Sequence, residues 1–193
     1  MTNPGSQTAP ATVVAAAAGR ATRSTAVTVL ALVAVLTIGL DLATKQLVLS
    51  TLSDGSIVRI LGGAVYFDLI RNSGAAFSIG TGMTFIFPIV ATVVIVGIVW
   101  LGRKLRSVPW AIALGLIMGG AGGNLIDRLF RAPGPFRGHV VDFISLFGPN
   151  GERFAIFNAA DSALCVGVAL AILLEFTGRR RDGLPSPGPK RSA

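Results

Sequence analysis

The chain has 193 residues, 52% hydrophobic and only 13% charged, with a mean hydropathy of +0.70; a soluble domain carries about a quarter of its residues as charge, so an ordinary aqueous fold is excluded. One cysteine and one histidine exclude a disulfide framework and leave too few soft ligands for a structural zinc site. The net charge of +8 would suit nucleic acid, but the basic residues flank apolar runs, where they act as membrane-orientation signals, so no nucleic-acid partner is expected.

Residues 1–25 are rich in Ala, Thr, Ser and Gly with Pro4 and Pro10, and read as a disordered tail that cannot build a core. Four apolar stretches follow, at residues 26–42, 84–101, 110–126 and 155–176. Each is close to the length that crosses a hydrocarbon layer of about 30 Å at roughly 1.5 Å per helical residue. Arg20 and Arg23 ahead of the first stretch would also suit a cleaved signal peptide. No small-x-small site follows it cleanly, however, and Asp41 stands where a small residue is required.

Between the first two spans, residues 56–61 and 64–71 are rich in β-branched and aromatic side chains, with Gly62-Gly63 between them, and predict a small outer strand pair. In the third span Gly115, Gly119 and Gly123 recur every four residues, joined by Gly120 and Gly122. Such a face lets another helix pack closely, and at Gly122 and Gly123 it could also admit a peptide. Residues 131–153, with Pro133, Pro135 and Pro149, read as a loop with one short helix. Val-Val-Asp142-Phe inside it is a strand-like or helical entry to the last span. The expected fold is therefore an all-α membrane protein of four transmembrane helices with a small extracytoplasmic β element between spans one and two. Its membrane domain would be residues 26–177, flanked by tails at 1–25 and 178–193.

With four spans, three basic groups share one side: Arg20 and Arg23; Arg103, Lys104 and Arg106; Arg179, Arg180 and Arg181. The enrichment of Lys and Arg in cytoplasmic flanks puts that side, and both termini, in the cytoplasm. On the other side seven bases (Lys45, Arg59, Arg71, Arg128, Arg131, Arg137, Arg153) balance seven acids (Asp41, Asp54, Asp68, Asp127, Asp142, Glu152, Asp161).

Ionisable groups in spans are costly and mark function. Asp41 and Lys45 fall one turn apart at the outer end of span one. Asn124, Asp127 and Arg128 come about 21 to 27 Å along the rising third span, and Asn158, Asp161 and Ser162 open the descending fourth. Three helices thus deliver polar groups to one outer layer. The single histidine excludes a His-Glu-x-x-His metalloprotease helix, and His139 lies in a loop of a chain without Gly-x-Ser-x-Gly. Cys165 reads as a small packing residue. Carboxylates remain, and Asp142 with Asp161 are the chosen pair. Two nearby carboxylates disfavour double ionisation, so one can activate water while the other donates a proton to the developing oxyanion. No metal or cofactor is needed for this. On residues alone, an intramembrane aspartic hydrolase and a proton-coupled carrier both stay open. The carrier predicts polar groups near the midplane and an internal repeat, and neither is visible.

The motifs weigh more. Asp41-Leu-Ala-Thr-Lys45, Asn72-Ser-Gly-Ala-Ala-Phe77, Gly119-Gly-Ala-Gly-Gly-Asn124-Leu-Ile-Asp127-Arg128, Val140-Val-Asp142-Phe143 and Phe157-Asn158-Ala-Ala-Asp161 together resemble the lipoprotein signal peptidase (signal peptidase II) family of bacteria, in order, over residues 27–176. The resemblance implies an aspartic endopeptidase of the inner membrane that cuts prolipoproteins just before a diacylglyceryl-bearing cysteine, with lipid-modified prolipoproteins and membrane lipids as partners. It implies that Asp142 and Asp161 are the dyad and that Asn124, Arg128 and Asn158 orient dyad and substrate backbone. Asp41 and Lys45 would hold the outer wall, Asn72 and Gly74 would belong to a segment over the substrate, and Asp127 would pair with a cation. The long N-terminal tail and the insertion around residues 131–137 depart from the family pattern in length.

Overall fold

The computed structural model describes residues 21–74 and 85–184. Its elements are helix α1 (Arg23–Thr51), strands β1 (Val58–Ile60) and β2 (Val65–Asn72), helices α2 (Ile86–Gly102) and α3 (Val108–Phe130), strand β3 (Val140–Leu146) and helix α4 (Ala159–Phe176). Helices α1, α3 and α4 are long and apolar enough to cross a membrane, whereas α2 is apolar but shorter. Residue 84, expected to begin the second span, lies outside the described residues.

The first span runs nine residues further than expected. Its polar residues end the apolar run in sequence without ending the helix, because Asp41 and Lys45 are buried and paired across one turn. One residue per turn faces inward, namely Ala26, Leu30, Ala34, Thr37, Asp41, Lys45 and Val48. Leu32, Val35, Leu36 and Leu40 face outward, as a helix surrounded by lipid requires. The helix also starts at Arg23, inside the stretch expected to be a tail; residues 1–20 are not among those described.

Helix α3 is the most enclosed of the three and packs against α1, α2 and α4. Its glycines make this possible. A Cβ on Gly119 would lie 2.5 Å from Thr37 Cβ and 2.9 Å from the Ala34 carbonyl on α1. Gly115 faces Val33 in the same way, while Gly120 faces the Ala160 backbone of α4. Ile38 and Asp41 fill the space at Gly122 and Gly123. These two glycines therefore serve helix packing and leave no opening for a peptide.

The strands form one antiparallel sheet in the order β1-β2-β3. The sequence indicated the β1–β2 pair; β3 joins it as a third strand, and of the strand-like and helical readings of Val-Val-Asp142-Phe within the expected loop the strand is the one adopted. Its Val141 and Phe143 are buried with Val48 and Leu52 at the outer end of α1, each worth roughly 1.5–3 kcal/mol relative to exposure. The expected short helix of that segment is a single turn, Pro149–Gly151. At the opposite end of the molecule, residues 179–182, expected in a disordered tail, fold back on the α2–α3 turn. Arg106 N donates to the Arg181 carbonyl at 2.9 Å, and Trp110 Nε1 donates to the Arg179 carbonyl at 2.6 Å.

The glycine seam gives a direct test. Gly119→Ala should destabilise the protein by about 1–3 kcal/mol through overpacking against α1. Gly39, with nothing within 4 Å of an added Cβ, should accept alanine with no loss. Thermal unfolding of the two variants in detergent separates the outcomes.

Candidate active site

Strand β3 and the start of α4 are tied together before any catalytic group is considered. Phe143 N and Ile144 N both donate to the Phe157 carbonyl, and Phe157 N donates to the Ile144 carbonyl. This bridge fixes Asp142, on the strand, against Asn158, the N-cap of α4. Asn158 Oδ1 accepts from Asp161 N at 3.0 Å, and Asp161 Oδ2 accepts from Asn158 N at 3.1 Å. The pair is a reciprocal capping box, so the Asn-x-x-Asp spacing that begins the helix also fixes the Asp161 carboxylate.

Two carboxamides join the two acids, and a third bonds to Asp142. Asn158 Nδ2 donates to Asp142 Oδ1 at 2.6 Å and to Asn124 Oδ1 at 3.1 Å. Asn124 Nδ2 donates to Asp161 Oδ1 at 2.7 Å, and Asn72 Nδ2 donates to Asp142 Oδ2 at 2.9 Å. Each carboxylate therefore accepts two hydrogen bonds from neutral donors. Burial pushes the Asp142 carboxyl up to about 7, the bond from Asn72 opposes that rise, and the nearby charge of Asp161 adds to it.

Behind this layer lies a second, charged one. Lys45, wholly buried, donates to Asp41 Oδ2 at 2.7 Å and to Asn124 Oδ1 at 3.1 Å, and pairs with Asp127 Oδ2 at 2.7 Å. These three partners match the three N–H groups of an ammonium. Asp41 Oδ1 in turn accepts from Ala160 N at 3.0 Å. Asp127 Oδ2 accepts from Val141 N at 3.2 Å, and Asp127 Oδ1 pairs with Arg131.

A cavity of about 500 Å³ opens onto the carboxylates. Asn72, Gly74, Asn124, Arg128, Asp142 and Asp161 line its polar corner; the rest is mostly apolar, with Leu146, Phe154, Ile156 and Leu164 prominent. Arg128 Nη2 donates to the Gly74 carbonyl at 3.1 Å, and its guanidinium lies 5.1 Å from the centre of the Phe87 ring.

All ten site residues singled out in the sequence fall in or directly behind this corner. Asp41 and Lys45 do not form its wall, as expected, but the buried layer beneath it, and Asp127 pairs with Lys45 and Arg131. Residues 75–77 of the Asn72 motif are outside the described residues. Cys165, read as a packing residue, is exposed on the cavity. Arg131, Phe87 and the apolar wall were missed. The Asp127–Arg131 spacing of four was a readable signal for Arg131, whereas the wall comes from segments distant in sequence. The insertion after α3 closes on the helix end, with Gly138 N donating to the Arg128 carbonyl and His139 N to the Ala132 carbonyl.

The fold is similar to those of two bacterial membrane enzymes solved by the in meso method. One, at 2.3 Å resolution, superposes with a TM-score of 0.67 at 27% identity, covering 91% of this chain and 98% of that one. The other, at 1.9 Å, gives 0.64 at 30%, covering 81% and 96%. The fold class is thus one shared with membrane enzymes. The family model described as signal peptidase (SPase) II matches residues 33–177. The lipoprotein signal peptidase of Mycolicibacterium smegmatis is 46% identical over 170 residues, 83% of this chain and 70% of that protein. The one from Streptomyces coelicolor is 50% identical over 157 residues, 81% and 74% respectively. The chain belongs to the signal peptidase II family and is a protease of that type.

Removing the Lys45 charge tests the buried layer. Lys45→Met strands the buried Asp41 carboxylate and leaves Asp127 with Arg131 alone, and breaking such a buried pair costs about 3–5 kcal/mol. The unfolding temperature in detergent should drop sharply, and adding Asp41→Asn should restore part of it.

Proposed function

We propose that Asp142 and Asp161 form an aspartic dyad that hydrolyses the peptide bond just before a diacylglyceryl-bearing cysteine, releasing the signal peptide of a prolipoprotein. The observation that carries this reading is that two carboxylates from different elements meet at one cavity, each hydrogen-bonded to a carboxamide on the same Asn124–Asn158 relay. The pair shares one proton, which we place on Asp142 because burial and the adjacent negative charge hold its carboxyl at about 7.

Asp161 takes a proton from water as the water oxygen attacks the amide carbonyl, and Asp142 donates its proton to the carbonyl oxygen. As the tetrahedral intermediate collapses, Asp161 gives its proton to the leaving nitrogen, Asp142 takes one back from a hydroxyl of the intermediate, and the C–N bond breaks. The products are the signal-peptide carboxylate and the free amine of the lipidated cysteine. Asn124 and Asn158 hold the two carboxyls in register, and Arg128 and Asn72 position the segment carrying Gly74 across the substrate backbone. The chemistry requires no metal or cofactor.

We place four helices across the bacterial inner membrane, with α2 as the second span and both termini in the cytoplasm. The reason is that the basic groups at Arg23, at 103–106 and at 179–181 then lie on one side. Residues 1–22 and those beyond 184 are assigned as cytoplasmic tails outside the catalytic unit.

Asp142→Asn and Asp161→Asn keep size and one accepting oxygen but remove the ionisable proton. Each should lower cleavage of a diacylglyceryl-modified prolipoprotein by roughly 10²–10⁴-fold, and the double variant should be little worse. His139→Ala should retain activity, and a chelator should leave the rate unchanged. Near wild-type cleavage by either Asn variant, inserted and folded, would rule the dyad out.

The raised carboxyl of Asp142 also predicts two pH effects. Loss of its proton should lower kcat/KM as pH rises above about 7. For stability, the folded state binds this proton more tightly than the unfolded state, whose carboxyl lies near the ordinary value of 3.8. Folding is therefore favoured at low pH, and that contribution is lost as pH rises from about 4 through about 7. Melting temperatures measured from pH 5 to pH 8 should fall more steeply for wild type than for Asp142→Asn.

A further inference from the structure

We propose that the groove at the end of the molecule opposite Asp142 binds the headgroup of an anionic phospholipid. The groove has a volume of about 830 Å³ and lies between the C-terminal end of α2 with the turn after it and the chain leaving α4. Five cations line it, Arg103, Lys104, Arg179, Arg180 and Arg181, against two acids, Glu175 and Asp182.

The acids do not neutralise the groove. Asp182 is occupied by Arg180, which donates to both of its oxygens at 3.1 and 2.7 Å. Arg181 is turned away onto the Trp110 ring, 5.3 Å from its centre. Among the described residues Arg103, Lys104 and Arg179 have no ion-pair partner. Three cations from two separate segments thus face one space against Glu175 as the remaining acid, an excess of positive charge that costs electrostatic energy until an anion enters.

The backbone carrying the arginines is held in place before binding. The Arg179 carbonyl accepts from Trp110 Nε1 and the Arg181 carbonyl accepts from Arg106 N, so little ordering is left to be done when a ligand arrives. The surroundings decide between a soluble anion and a lipid. Trp100 is 64% exposed and Phe176 88% exposed at the helix ends, and the outward faces of α2 and α4 above them continue apolar through Val96, Val99, Ile172 and Leu173. A phosphate in the groove would therefore have acyl-chain surface directly beside it. Basic pockets between spanning helices with this combination suit anionic lipid headgroups, and an interfacial aromatic marks the headgroup level. Occupancy would link α2 to the chain after α4 and stabilise the folded state.

The test uses the full-length protein in an uncharged detergent, read by native mass spectrometry with equal amounts of phosphatidylglycerol and phosphatidylcholine of matched chains. Phosphatidylglycerol should be retained at least about tenfold better. The double substitution R103Q/K104Q should reduce that preference to near unity. D182N releases Arg180 and should raise phosphatidylglycerol retention, a gain that misfolding cannot produce. The D142N variant should retain the lipid as wild type does, which separates this site from the catalytic assignment. Equal retention of the two lipids, or an unchanged preference in R103Q/K104Q and D182N, would overturn the proposal. So would a rise in melting temperature with sn-glycerol 3-phosphate as large as that with phosphatidylglycerol, since the site would then take soluble phosphate esters.

Discussion

The placement of Asp142 and Asp161 depends on one buried ammonium. Lys45 has no solvent contact, and its three N–H groups are taken by Asp41, Asp127 and Asn124. Each partner reaches onward. Asp41 accepts from Ala160 N and so holds the first turn of α4. Asp127 accepts from Val141 N and so holds the strand residue next to Asp142. Asn124 donates directly to Asp161. A single cation therefore sets the separation between the strand that carries one carboxylate and the helix that carries the other.

Such a cluster is costly to bury, and its geometry explains how the cost is contained. Two carboxylates face one ammonium, and Arg131 at the edge supplies the second positive charge, so the group is balanced within a few ångströms. The glycine seam lets the polar layer form at the necessary distance. A side chain at Gly123 would collide with Asp41 Oδ2 at 2.5 Å, so only glycine allows α3 to approach the Asp41–Lys45 face. Helix packing and site assembly are thus the same contact, and a substitution that loosens the seam would also displace the amides.

Much of this was legible from spacing. Asp41 and Lys45, Asn124 and Arg128, and Asn158 and Asp161 sit three or four residues apart on helices, a periodicity that predicts a shared face without knowledge of the fold. Asp142 was chosen by its place just before the last span and by elimination of other chemistries. The third strand was legible only in part, as a strand-like or helical entry at Val-Val-Asp142-Phe, because its run to Leu146 depends on pairing with β2, some seventy residues earlier. The end of α1 was misjudged for a related reason. Asp41 and Lys45 look like the edge of a span when hydropathy is read alone, yet they are buried because partners from two other elements cover them. The folded-back residues 179–182 were equally hidden, since their order depends on Trp110 and Arg106.

The two proposed catalytic carboxylates also come from different kinds of structure, and this bears on where a substrate bond can be cut. Asp161 stands in the first turn of an apolar helix, while Asp142 lies in a sheet whose other strands form outside the spans. The cavity joining them is polar at that corner and mostly apolar elsewhere. A substrate held in the bilayer by its own apolar segment and acyl chains would meet both carboxylates only where its chain leaves the hydrocarbon. Deeper bonds would face apolar helix surface and no water, and bonds beyond the sheet would lack Asp161. On the proposed reading, selectivity for a bond at the membrane boundary thus follows from the junction of strand and helix, fixed by the Ile144–Phe157 bridge and the Lys45 cluster beneath it.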